Sequence, residues 1–138
     1  MQFDPNNPIV KLCAEGINIE GDASEALQLF QRAWDEATND FEKFIAAHYV
    51  ARHQKSTEDK LNWDKIALNA AIKVDNEEIK ESFPSLYLNI GKCYEDLKDF
   101  ENAIENYQLA LTYTDHLPND GYGKMIESAI INGLERVV

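Results

Sequence analysis

Glycine and proline are scarce in this 138-residue chain, at 6 and 4. That argues against an all-β fold with many tight turns and suits long helices with short connections. Cysteine is scarcer still. Cys13 and Cys93 stand alone with no CxxC pair, so neither a zinc site nor a thioredoxin-like motif is expected. Both fall in apolar helical registers and read as small buried hydrophobes. No apolar run approaches the roughly 20 residues of a membrane span. The opening stretch, Met1 to Pro8, lacks the charged and apolar regions of a signal peptide. A cytoplasmic location is the expectation from these absences. Basic residues are in deficit, 13 against 25 acidic, for a formal net charge of −12. Nucleic acid and anionic membrane surfaces repel such a chain, and neither is an expected partner.

Catalytic signatures are missing as well. The chain has no GxGxxG, no GxxxxGK[ST], no HExxH and no GxSxG. Carboxylates are plentiful, but acidic helix faces are usually just solvated, and nothing isolates an acid/base pair. His48 and His53 are five apart on a predicted helix and point to different faces, which argues against a shared metal. His48 reads as a packed core histidine, and His53 and His116 as exposed ones. No catalytic residue, metal or cofactor is expected.

What is present is helical periodicity almost throughout. The spacing predicts seven helices, at about 8–19, 23–38, 41–53, 61–74, 84–97, 100–114 and 122–136. Pro8 suits a first helical turn, where its missing N–H costs nothing. Asp22, followed three residues later by Glu25, forms a capping-box-like pair before the second helix. That helix presents Ala26, Phe30, Ala33 and Trp34 on one broad apolar face. The polar stretch Gln54–Lys60 is the most probable long loop, although its residues could extend either neighbouring helix. A charged link covers 75–82. The helices therefore come as three pairs, about 8–38, 41–74 and 84–114, with a lone helix at the end. Short loops between successive helices make each pair antiparallel.

The fifth and sixth helices read Tyr87-x2-Ile90-Gly91-x2-Tyr94, then Ala103-x3-Tyr107-x2-Ala110. This resembles the tetratricopeptide-repeat signature, with small residues where two helices cross and aromatic residues filling the space around them. Pro118 comes later than the family's proline. The first pair matches less fully: Ala26-x3-Phe30-x2-Ala33 fits the second-helix half, and Val10-x2-Cys13-Ala14-x2-Ile17 offers the first-helix spacing with smaller residues. The middle pair has Phe44-x2-Ala47-His48-x2-Ala51 and then Ala67-x3-Ala71-x2-Val74, which lacks the aromatic. Ala26 to Ala103 spans 77 residues where two repeats of about 34 would give 68. About nine extra residues are expected in Gln54–Lys60 and 75–82.

The resemblance covers roughly 7–117. It implies an all-α fold in a single domain: three antiparallel helix pairs stacked as a right-handed superhelix, with the last helix as a cap. It implies a protein-binding scaffold or adaptor rather than an enzyme, with an unidentified protein or peptide segment held in the concave groove. On the family pattern the groove residues are Lys11, Glu15 and Asn18 from the first pair, Ile45, Tyr49 and Arg52 from the middle pair, and Leu88, Lys92 and Glu95 from the third. Lys11, Arg52 and Lys92 could pair with a peptide carboxylate or an acidic segment. The clamp by which some family members hold chaperone tails resembles Lys-x3-Asn, a later Asn and Lys-x3-Arg. Here Lys11 is followed by Glu15, Ala46 lies near the later Asn, and Leu88-x3-Lys92 replaces the last element, so that clamp is mostly missing. Two other readings remain from sequence: self-association through convex or terminal faces, with Trp34, Trp63 and Phe41 as candidates, and an enzyme with an unrecognised site.

Overall fold

All the α-helices but one begin where a side chain is available to hold the first free amides. Asn7 accepts from the Ile9 and Val10 amides and starts α1 (Pro8–Asn18). Asp22 accepts from Glu25 at the start of α2 (Ala23–Glu36), and Asn39 accepts from Glu42 at the start of α3 (Asp40–Arg52). Ser56 does the same through Asp59 for α4 (Thr57–Ile72). In the second half, α5 (Phe83–Asp96) has Pro84 in its first turn instead of a capping side chain. Asp99 caps α6 (Phe100–Thr112), and Asp120 caps α7 (Gly121–Val137). Each such cap contributes about 1 kcal/mol. The computed structural model describes residues 3–138, and among these the fold is seven α-helices and two short 3-10 turns, with no strand.

The chain divides into two compact units, Met1–Val74 and Asp75–Val138. In the first, α1 pairs with α2 and α3 with α4, while α3 also packs on α1 and α2. Three neighbours explain the pattern of α3. Phe44, Ile45, Ala46, Ala47, Val50 and Ala51 are all buried, on every side of the helix rather than along one stripe. In the second unit α5 pairs with α6, and α7 lies against both. Ala110, Ile126 and Ile130 form its core there, with Tyr87, Leu88, Leu117 and Leu134 packed on them.

Two boundaries differ from expectation. The Gln54–Lys60 stretch is mostly not a loop: the Ser56 hydroxyl accepts from the Asp59 amide and caps a helix whose first turn is Thr57–Lys60. The charged link is partly ordered, as a 3-10 turn over Glu77–Ser82 with Ile79 buried. The second 3-10 turn, Thr114–His116, follows α6 and accounts for the late Pro118.

The turn between α5 and α6 carries local strain. The Lys98 amide donates to Glu95 O at 2.9 Å and the Asp99 amide to Tyr94 O at 2.9 Å, the paired bonds of a Schellman ending. The residue after the cap must then be left-handed, and Lys98 has φ 61°. Glycine takes that conformation without a Cβ penalty. Lys98→Gly is expected to raise stability by about 0.5–1 kcal/mol, read as a higher urea midpoint with unchanged slope.

Candidate functional site

Helix crossings in both units are built from a glycine on one helix and an aromatic ring on another. In the first unit Gly16 of α1 faces the fully buried Phe30 of α2 so closely that a Cβ would collide with its ring. In the second, a Cβ on Gly91 of α5 would stand 2.8 Å from Tyr107 Cδ1, and one on Gly133 of α7 2.6 Å from Tyr107 Cζ. The Tyr107 ring is thus sandwiched between two helices at positions where only glycine fits.

A glutamate follows each first-helix glycine by four residues and fastens the helix after the pair. Glu20 accepts from His53 Nε2 at 2.8 Å and pairs with Arg52 at 3.2 Å, both at the end of α3. Glu95 receives Arg136 of α7 through two bonds, 2.8 and 3.0 Å, and the Tyr107 hydroxyl at 2.7 Å. The Arg136 hydrogen bond, against the opposing effect of burial, holds the Glu95 carboxyl below the usual range, with help from Tyr107 and Lys92. Burial, and then the Glu95 carboxylate, push the Tyr107 phenol up. Sequence reasoning named Arg52 and Glu95 as groove residues and Tyr107 as a signature residue, but it missed Glu20, Arg136 and the pairings that join these residues. Their partners are 33 and 41 residues apart, but the shared Gly-x3-Glu in Gly16–Glu20 and Gly91–Glu95 was a readable signal.

Above the Glu20 cluster stands a stack of flat groups. Arg52 Cζ lies 5.4 Å over the Tyr49 ring, Tyr49 stacks on Phe30 at 5.1 Å, and Phe30 on His53 at 5.4 Å. His53 is therefore not exposed as expected; its half-buried ring forms the end layer of the stack and its Nε2 is bonded to Glu20. His116 is exposed. His48 is a packed histidine, edge-on to Tyr49 at 5.0 Å, with a covered Nδ1 that has no hydrogen-bond partner. Burial, then the charges of Arg52 and Lys60, lower its pKa from 6.5 to about 4.

The expected groove residues divide by environment. Lys11, Glu15 and Asn18 are exposed along α1, and Lys11 has no ion-pair partner among the described residues. Tyr49 is half-buried and Arg52 exposed on α3. Ile45 is only 3% exposed and belongs to the core, because α3 is covered on several sides. On α5, Leu88 packs against the Ala110–Ile126–Ile130 core. Lys92 pairs with Asp96 at 2.6 Å in an exposed contact of little strength. The Glu95 carboxylate is already engaged by Arg136 and Tyr107. The structure thus brings Lys11, Glu15, Asn18, Tyr49 and Arg52 onto α1 and α3 of one unit. Of the expected self-association residues, Trp34 and Trp63 are half-buried against each other at 5.2 Å, and Phe41 lies between Phe3 and Phe44. Neither cysteine is in a disulfide, and both are buried.

The helix pair that contains Gly91 and Tyr107 matches the family model described as Tetratricopeptide repeat, over residues 84–115. This segment is a tetratricopeptide repeat. Its signature residues take the roles the resemblance implied: Gly91 and Ala103 are buried at the α5–α6 crossing and Tyr107 fills it. No curated protein and no solved structure is significantly similar to the chain. The first helix pair departs from the expected repeat register. Ala14 and Ile17 are exposed, and the close approach falls on Gly16 instead. The reason is the buried stripe Ile9–Leu12–Cys13–Gly16, which α1 turns toward its neighbours and which excludes Ala14. Among the described residues, no helix is long and apolar enough to cross a membrane, and no three His, Cys, Asp or Glu side chains are grouped to hold a metal.

Proposed function

We propose that the chain is a protein-interaction scaffold, not a catalyst, and that it holds an acidic or carboxylate-ended peptide segment on the outward faces of α1 and α3. The tetratricopeptide repeat at 84–115 supports the interaction role, since such repeats are typically non-catalytic binding modules. The observation that carries the choice of face is Lys11 of α1, exposed and with no ion-pair partner among the described residues, on the helix that packs beside the Arg52–Tyr49 stack of α3. Arg52 is half-engaged: it lies on an aromatic face and shares Glu20 with His53, which leaves guanidinium donors for a second carboxylate.

A displayed peptide library panned on the immobilised chain tests this. Segments rich in Asp or Glu, or ending in a free carboxylate, are expected. Lys11→Glu should then weaken the selected segments about fivefold or more, and Glu15→Lys, one turn along the same face, should strengthen them. Selection of segments without acidic character, or affinities indifferent to both substitutions, would overturn the reading.

A further inference from the structure

Packing fixes the identity of Gly133 on α7. A Cβ there would stand 2.6 Å from Tyr107 Cζ, and Gly91 of α5 lies against the same ring, so no side chain fits at 133. The residue before it is Asn132, the one asparagine in the chain that glycine follows. That juxtaposition has a chemical consequence. A glycine nitrogen has no side chain beside it to shield it, and it can reach the carboxamide carbon of the preceding asparagine by closing a five-membered ring. Asn132 is exposed, and its carboxamide makes no hydrogen bond among the described residues. Other asparagines are held: Asn7 donates to Glu42 at 2.9 Å, Asn102 to Asp99 at 2.7 Å and Asn106 to the Asn102 carbonyl at 2.9 Å.

The fold stands in the way of this ring closure. Within α7 the Gly133 amide points along the helix toward the Ala129 carbonyl, four residues back, and away from the Asn132 side chain. The ring can close only when this part of α7 leaves its helical conformation. Two contacts hold it in place: Gly133 against the Tyr107 ring, and Arg136 on Glu95 at 2.8 and 3.0 Å.

We propose that Asn132–Gly133 is a self-modification site gated by the docking of α7, and that its isoaspartyl product keeps α7 from docking again. When α7 lets go, hydroxide removes the Gly133 amide proton and the nitrogen attacks Asn132 Cγ. The Cγ–Nδ2 bond breaks, the amino group takes a proton from water and leaves as ammonia, and a cyclic imide remains. Water then opens the ring at either carbonyl. Opening at Cγ gives aspartate. Opening at the main-chain carbonyl gives isoaspartate, whose backbone runs through Cβ and Cγ and is longer by a methylene. The net reaction consumes a water and releases an ammonia. The added methylene lies directly before Gly133. It shifts Gly133 off Tyr107 and turns Arg136 away from Glu95, because both contacts depend on helical register. An undocked α7 uncovers Leu88, which packs against the cluster of Ala110, Ile126 and Ile130, and frees Glu95 on α5. The reaction belongs to the second unit and is independent of the peptide face on α1 and α3.

The test incubates the full chain at mildly alkaline pH and follows the Asn132 peptide by mass spectrometry, with electron-transfer fragmentation to tell isoaspartate from aspartate. The folded chain should react at least about tenfold more slowly than the chain unfolded in urea, since only the open fraction of α7 reacts. Arg136→Ala should speed the folded reaction about threefold or more by removing a charged hydrogen-bonded contact. Lys80→Ala, which removes a cation of the same unit that pairs with Glu77, should change it less than about twofold. The isoaspartyl chain, purified by chromatography, is then compared with Asn132→Asp, which carries the same charge on an ordinary backbone. Amides of α5–α7 should exchange at least about tenfold faster in the isoaspartyl chain. A folded rate equal to the unfolded one, no acceleration in Arg136→Ala, or equal exchange in the isoaspartyl and Asn132→Asp chains would overturn the proposal.

Discussion

Tyr107→Ala is expected to destabilise the fold of Phe83–Val137 by about 3–5 kcal/mol. The ring is fully buried and fills the space between the glycines of α5 and α7, so its removal opens a cavity that two helix backbones border. The loss is enlarged because the Tyr107 hydroxyl donates to Glu95, whose carboxylate also holds Arg136. Tyr107→Phe separates the two effects, keeping the ring and removing the bond for a cost of about 1 kcal/mol. Amide hydrogen exchange in α5–α7 should accelerate at least about a hundredfold for the alanine variant and no more than about tenfold for phenylalanine. Equal rates for the two would mean that the hydroxyl, not the ring, holds the helices. Gly91→Ala and Gly133→Ala press on the same ring from opposite sides and should each cost about 1–3 kcal/mol, because the ring has no room to retreat.

The second large effect is a loss of stability on mild acidification, centred on His48. Its folded pKa is lowered from 6.5 to about 4 by burial and by the charges of Arg52 and Lys60. Below pH 6.5 the unfolded chain takes up a proton that the folded chain refuses. The unfolded state is therefore favoured increasingly as pH falls from 6.5 to about 4, and the loss saturates below that. Between pH 7.5 and pH 4.5 this amounts to about 2–3 kcal/mol. Glu95 and Glu42 have lowered pKa values, so their contributions are lost only as pH falls further, through the carboxylate range. Both tryptophans, Trp34 and Trp63, lie in the unit that holds His48, so their fluorescence reports its unfolding. In urea titrations His48→Leu should remove about 2–3 kcal/mol of the acid loss. An unchanged acid loss would mean that His48 is solvated in the folded chain.

Much of the fold was legible because helical periodicity and capping residues agree locally. Asp22, Asp99 and Pro8 mark starts that the structure keeps, and the Tyr87–Ala110 pattern places α5 and α6 to within about two residues. What sequence left unread depended on partners far along the chain. Glu42 is buried and accepts from Asn7 Nδ2 at 2.9 Å and from the Thr38 amide at 2.9 Å, tying the entry to α1 to the corner before α3. Burial pushes its carboxyl up, but these hydrogen bonds outweigh it. Nothing local distinguishes Glu42 from the solvated acids around it. Ile45 fitted a groove position only if α3 had one buried side, and α3 has several. His53 reads as a surface residue in sequence because its cover, Phe30 of α2 and Glu20 of the α1–α2 turn, comes from elsewhere in the chain. The Gly16 crossing was missed because the signature spacing pointed to Ala14, two residues earlier.

The central claim is that the chain is a peptide-binding scaffold whose acceptor face is α1 with α3. Backbone amide chemical-shift mapping during titration with an acidic peptide selected against the chain tests it most directly. The account expects shifts to concentrate in Lys11–Asn18 of α1 and Tyr49–His53 of α3, and to vanish in Lys11→Glu. Shifts that avoid α1 and α3 while clustering on another surface would contradict it.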